Sequence, residues 1–176
     1  MRRYLWCALA AFACGPASRG PVGEGLGTIT HYDTRSIRYL TVEDSVRFGL
    51  LRLYWDAQAE SLETIACLYG HREDKDVTVT SYRLGHMRLR GPHMVMFDAG
   101  TSGCPEGEGL VGTFHTHLLS ALGINRSPST PDRMSFFGDP RVIVMFVGVG
   151  PDPNLPHSLL VYWTLRHGNQ GYLNWP

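Results

Sequence analysis

The chain has 176 residues, 43% hydrophobic and 18% charged, the makeup of a globular protein rather than a disordered or collagen-like one. Lys+Arg and Asp+Glu balance at 16 each, so no net charge draws it to nucleic acid and no nucleic-acid partner is expected. The first segment aside, the length suits one domain of about 140 residues, large enough to bury a core without metal or disulfide staples.

The N-terminus reads as a leader over 1–17. Arg2 and Arg3 form a basic start, and Tyr4 to Ala13 is apolar, too short to span a bilayer but near the length of a signal-peptide core. Ala11-Phe12-Ala13-Cys14-Gly15 is a loose lipobox. Export is therefore expected, periplasmic or lipid-anchored, with membrane attachment only through a lipidated Cys14; a cytoplasmic protein is the alternative. Gly15 to Gly27 is rich in Gly, Pro and Ala and reads as a linker. The N-terminal extension runs over 18–40, with room for a short strand from Thr28 to Leu40, and the domain proper over 41–176.

Thr41 is the expected N-cap of a first helix, with Glu43 and Asp44 in its first turn, where negative charge is favoured. Val42, Val46, Leu50, Leu53 and Ala57 fall at helical spacing on one face, and the helix should end near Glu60. Leu62 to Tyr69 reads as a buried strand stopped by Gly70-His71 and a charged turn from Arg72 to Asp76. Val77 to Leu84 completes a hairpin with it. His93 to Phe97 is a third strand, and Ala99 to Gly109, with five glycines and prolines, is a loop. Leu110 to His117 is a strand, and Leu118 to Pro128 is a polar loop. Ser129 or Thr130 caps a second helix with Pro131 and Asp132 in its first turn. Arg141 to Val149 is apolar and valine-rich, as a central strand would be. Ser158 to Arg166 is the last expected strand, and the tail with Tyr172, Leu173 and Trp175 can pack back on the core. The expected fold is α+β: a single domain built on one sheet with flanking helices.

The four cysteines, Cys7, Cys14, Cys67 and Cys104, match no CxxC metal spacing. Cys67 and Cys104 can pair if the chain is exported; two unrelated thiols, one buried, is the plainer reading and the one preferred. A nucleophilic role for Cys104 needs a lowered pKa and a paired base, for which the sequence gives no reason. Trp55, Phe136, Phe137 and Trp163 read as core. His31, His86, His93, His157 and His167 read as surface or hydrogen-bonded core residues.

The chemistry concentrates in His115-Thr116-His117 and Ser129-Thr130-Pro131-Asp132. Histidines one residue apart on a strand point the same way, and an Asp at the start of the next helix can add a third ligand. Two imidazoles and one carboxylate suit zinc, and three protein ligands leave a fourth position for water, as in hydrolytic sites. Glu63 is the candidate base. A carboxylate inside the apolar run from Leu62 to Gly70 is unusual, because an unpaired buried charge is costly. An exposed strand-end Glu, or one paired with an Arg, would also account for it.

Taken together, Glu63-Thr64-Ile65-Ala66-Cys67-Leu68-Tyr69-Gly70, His115-Thr116-His117 and Ser129-Thr130-Pro131-Asp132 resemble the signature of the JAMM (MPN-plus) zinc metalloproteases, a family of isopeptidases with many prokaryotic members. The resemblance covers Thr41 to Arg166. It implies an MPN-type, cytidine-deaminase-like mixed sheet, with His115, His117 and Asp132 as zinc ligands. It implies Glu63 as general base and then acid, Ser129 as an oxyanion donor, and a peptide or protein as substrate. The chain departs from the family at Leu118, where Pro is usual, at Ala66, where Gly is frequent, and in a longer loop from His117 to Ser129. The extra segments that bind ubiquitin in eukaryotic members do not fit in its length, so ubiquitin is not the expected substrate. A silent MPN-type scaffold is one alternative, although such domains usually lose the ligands kept here. A zinc amidase for a small or cell-wall substrate is another.

Overall fold

The computed structural model describes residues 28–30, 37, 39–97, 103–119, 128–152, 155–166 and 170–176, with side chains excluded at 28–30, 152 and 155–157. The leader, Cys14, most of the linker and most of the 118–128 loop lie outside the described residues. The strands are β1 (Thr28–Thr30), β2 (Tyr39–Val42), β3 (Ile65–Glu73), β4 (Asp76–Leu84), β5 (Leu89–Gly91), β6 (Met94–Met96), β7 (Leu110–Thr116), β8 (Val144–Asp152), β9 (Leu155–Leu165) and β10 (Gln170–Trp175). The helices are α1 (Asp44–Glu60), between β2 and β3, and α2 (Thr130–Gly138), between β7 and β8.

Eight strands form one curled mixed sheet in the order β1-β2-β4-β3-β7-β8-β9-β10. β2 runs parallel to β4 and β7 parallel to β8; the remaining pairs are antiparallel. β5 and β6 make a separate antiparallel hairpin. Each parallel pair is joined through a helix-bearing connection, as parallel strands require. The α+β expectation holds at this level, as does a single domain.

Strand alternation divides the core in two. Ala66, Leu68, Phe114, Val144 and Phe146 join Val46, Leu50 and Tyr54 of α1 in one buried cluster. Cys67, Met145, Val147 and Val149 join Phe136 of α2 in the other. The sheet is therefore covered by α1 on one face and α2 on the other. Trp175 closes the first cluster against Phe114 and Phe146, with ring centroids 6.0 and 5.5 Å away, so the tail packs on the core through Trp175 and Leu173, whereas Tyr172 is exposed.

Several boundaries differ from the sequence reading. Thr41 is not a helix cap: it pairs with Thr78 in β2, and Glu43 caps α1 with no side-chain bond while its N–H donates to Val79 O at 3.0 Å. Val42 is accordingly buried as a strand residue. The inner face of α1 also takes in Arg47, 1% exposed, which is paired with Asp44 at 3.0 Å. β3 starts at Ile65, so Glu63 precedes it, and it runs on through Gly70 to Glu73. There a bulge lets the chain continue, and a Cβ at Gly70 would strike the Thr78 carbonyl. β5 was not foreseen, and β10 follows the strand expected to be last. Cys67 and Cys104 form a disulfide, their Cα atoms 5.6 Å apart, which overturns the preferred reading of two unrelated thiols. Phe136 and Trp163 are core, whereas Trp55 and Phe137 are exposed. Among the described residues no helix is long and apolar enough to cross a membrane.

Candidate metal centre

The site is assembled where β3 and β7 begin to separate. In their antiparallel register Ile65 faces His115. One step beyond, Thr116 N–H donates to Thr64 O at 3.0 Å, and Thr64 N–H donates to Thr116 Oγ1 at 3.0 Å. Continued by one more residue, this ladder sets Glu63 opposite His117, and directly opposed residues share a face. Thr113, His115 and His117 alternate with buried Phe114 and Thr116, so both imidazoles point to the α2 side of the sheet.

α2 brings the third ligand. Ser129 is its N-cap: Asp132 N–H donates to Ser129 Oγ at 3.3 Å, and Ser129 N–H donates to Asp132 Oδ2 at 2.6 Å, a reciprocal capping box. The Ser129 hydroxyl also donates to Oδ2 at 2.6 Å. A motif that starts the helix thus fixes the rotamer of the carboxylate. Asp132 Oδ2 lies 3.3 Å from His117 Nε2 and 3.4 Å from His115 Nε2. The imidazole rings are 5.1 Å apart. All three ligand atoms lie within 4.8 Å of one another, and the group could hold a metal ion. His115 Nε2 is buried, makes no well-directed hydrogen bond, and has the Asp132 carboxylate 3.4 Å away as its charged neighbour.

Glu63 is held by its backbone. Its N–H donates to Gly91 O at 3.0 Å, and Arg90 Nε donates to Glu63 O at 3.1 Å. Arg90 also bonds Leu62 O and the Thr64 hydroxyl and pairs with Glu60 at 3.0 Å, so β5 clamps the whole segment before β3. The carboxyl lines a cleft with His117, Ser129 and Asp132. Its pKa is pushed up to about 7, chiefly by burial; the His117 charge lowers it, the Asp132 charge raises it, and a hydrogen bond from Leu118 N–H lowers it. For Asp132, burial alone would raise the pKa, but the His115 charge and the hydrogen bonds from His117 and Ser129 outweigh it and hold the carboxyl far below the usual range. One cleft thus holds a carboxylate kept ionised and, beside it, a carboxyl whose pKa is raised to about 7.

The structure thus brings together all five residues singled out from the sequence. Of the remaining six histidines, His71, His86 and His93 are exposed, and the side chains of His31, His157 and His167 lie outside the described residues. Cys104 is tied up in its disulfide. The sequence reading missed Gln58. From the last turn of α1 its amide NH2 donates to His117 O at 3.0 Å, while its Oε1 accepts Leu119 N–H at 2.9 Å. No pattern in the sequence signals this bond, which spans 59 positions. Because both ends of the amide hold the chain around a ligand, Gln58→Ala should weaken metal binding by about 10-fold, the lower end for loss of a ligand's supporting hydrogen bonds. Competition with a chromophoric chelator reads this out, and unchanged affinity would remove Gln58 from the site's support.

No protein-family model matches the chain, and no curated protein matches it.

Proposed function

We propose that the chain is a zinc-dependent peptidase or isopeptidase of MPN-type fold, hydrolysing a peptide or isopeptide bond with Glu63 as general base. The observation that carries this reading is the convergence of His115, His117 and Asp132 on one point beside the Glu63 carboxyl. A zinc ion with bonds of about 2.0 to 2.1 Å in a tetrahedron sets its ligand atoms about 3.3 to 3.4 Å apart. Two of the three separations, 3.3 and 3.4 Å from Asp132 Oδ2 to the imidazole nitrogens, match such edges, and all three lie within 4.8 Å. The buried Nε2 of His115, 3.4 Å from the same Asp132 oxygen, fits the same ion.

A zinc ion held by His115, His117 and Asp132 would supply a Lewis acid for the scissile carbonyl and a water whose pKa is lowered to about 7. Glu63 accepts the proton of the attacking water and then delivers it to the leaving nitrogen, a two-way task suited to a carboxyl near neutrality. Ser129, once its hydroxyl turns from Asp132, donates to the oxygen on which charge develops; such a donor is worth a few kcal/mol. The Thr64–Thr116 pair holds the two strand ends together, and Gln58 ties the backbone at His117 and Leu119 to α1. The MPN-type assignment is supported by the mixed sheet with one helix on each face and by the ligands at the end of β7 and the start of α2. Export is part of the proposal, and the Cys67–Cys104 disulfide supports it, since such bonds persist in oxidising compartments.

Protein purified without added metal should carry about one zinc per chain, as a three-ligand site predicts. His115→Ala should lose both the zinc and peptide hydrolysis. Zinc content and cleavage that both survive this substitution would show the site to be misassigned. A panel of folded proteins, short peptides and small amides separates the peptidase from an amidase of the same chemistry.

A further inference from the structure

We propose that the cavity beside the paired imidazoles is a specificity pocket that takes one apolar side chain, the size of leucine or phenylalanine, from a residue flanking the scissile amide. This rests on the hydrolase reading above. The cavity holds about 140 Å³, close to the ~150 Å³ at which an apolar cavity stays dry and accepts benzene. Its apolar lining comes from four directions: Ile65 of β3, Met145 and the preceding Val142 beside β8, Phe136 of α2, and Val95 and Phe97 on the β6 side. Glu63, His115 and Asp132 line the same cavity. A group that fills it therefore lies against the reacting atoms, which ties the occupant to the substrate.

The chemistry of the walls selects that occupant. Apart from the site's own Glu63, His115 and Asp132, no charged side chain lines the cavity among the described residues. A charged substrate group would shed its water against seven apolar side chains, Pro131 included, with only those three and the uncharged hydroxyls of Thr113, Thr116 and Ser135 to meet it. Glycine would leave the space unfilled and gain nothing from it. The walls are also braced. The Phe97 ring lies against Gly103, which takes φ +74° beside the disulfide-bonded Cys104 and leaves no room there for a Cβ. Met145, Val142 and Phe136 are all at most 2% exposed and belong to one packed cluster. A preformed apolar recess of this kind discriminates by fit, and filling it is worth about 100-fold in kcat/KM over glycine.

Two readouts test the proposal. The zinc-free full chain, labelled with carbon-13 at the methionine methyls, is titrated with N-acetyl-leucinamide and with N-acetylglycinamide. The Met145 resonance, assigned through Met145→Leu, should move with the leucine compound and not with the glycine one. Ser135→Trp on α2 and Val95→Trp on β6 fill the cavity from different walls, and either one that folds should abolish the response. Separately, the zinc-loaded chain is given peptide pools varied on both sides of the cleaved bond, and leucine or phenylalanine should be preferred about 100-fold over glycine on one side. A Met145 signal that ignores both compounds, or answers both alike, overturns the pocket, as does a response that survives both tryptophans. A Met145 response of the expected kind without cleavage of any pool upholds the pocket's choice of ligand and sinks the peptidase reading instead.

Discussion

Glu63→Gln should lower turnover by about 10²- to 10⁴-fold, the usual worth of a positioned general base, while the zinc content stays at the wild-type level. The amide keeps the size of the carboxyl and both backbone bonds of residue 63, to Gly91 and from Arg90, so the site should not collapse. It cannot accept the proton. The metal-free protein offers an independent check. The folded chain holds the Glu63 proton up to about pH 7, whereas the ordinary carboxyl releases it near 4.5. The folded state therefore binds more protons between those values, and the stability from this group is full below the lower value and lost as pH rises to the upper one. Urea unfolding of metal-free protein at a series of pH values should show that decline in the wild type and a shallower one in Glu63→Gln. Equal slopes would mean that Glu63 is not buried beside Asp132 as described; retained turnover would remove it as the base.

The double substitution Cys67→Ser with Cys104→Ser should cost about 4 kcal/mol, the loop-closure value for a bond between residues 37 apart. Removing both sulfurs avoids a stray thiol. The bond fastens the segment before β7 to the middle of β3, and the chain it encloses contains β4 and the β5–β6 hairpin. Calorimetry should register a drop of the melting temperature of about 10 °C for a domain of this size. Loss of only a degree or two would mean that the unbridged chain is already held by the packing of Leu110, Val142 and Met145 around the two sulfurs.

Features set by neighbouring residues were readable. His115 and His117 share a face because strand side chains alternate, and Ser129 and Asp132 cap a helix because their spacing suits a capping box; both follow from local geometry. Glu63 was readable only through its resemblance to a family pattern, since an isolated carboxylate at a strand's edge has several ordinary explanations. Partnerships across the sheet were not readable. Thr41 has the character of a helix cap, yet its pairing with Thr78 makes it a strand residue. Gln58 and Arg90 look like solvated surface residues, and only folding shows that each holds the backbone of a site residue. The disulfide was one of two open readings, because chain separation says nothing about whether two Cα atoms end up 5.6 Å apart.

The attachment of residue 63 to β5 has a mechanical meaning. The hairpin and the residue after it carry both the anchor of the Glu63 segment, at Arg90 and Gly91, and two side chains of the apolar recess, at Val95 and Phe97. Any guest that pushes the hairpin aside also drags Glu63 with it, so under the proposed mechanism a ligand of the wrong shape is penalised twice, once in fit and again in the alignment of that carboxyl.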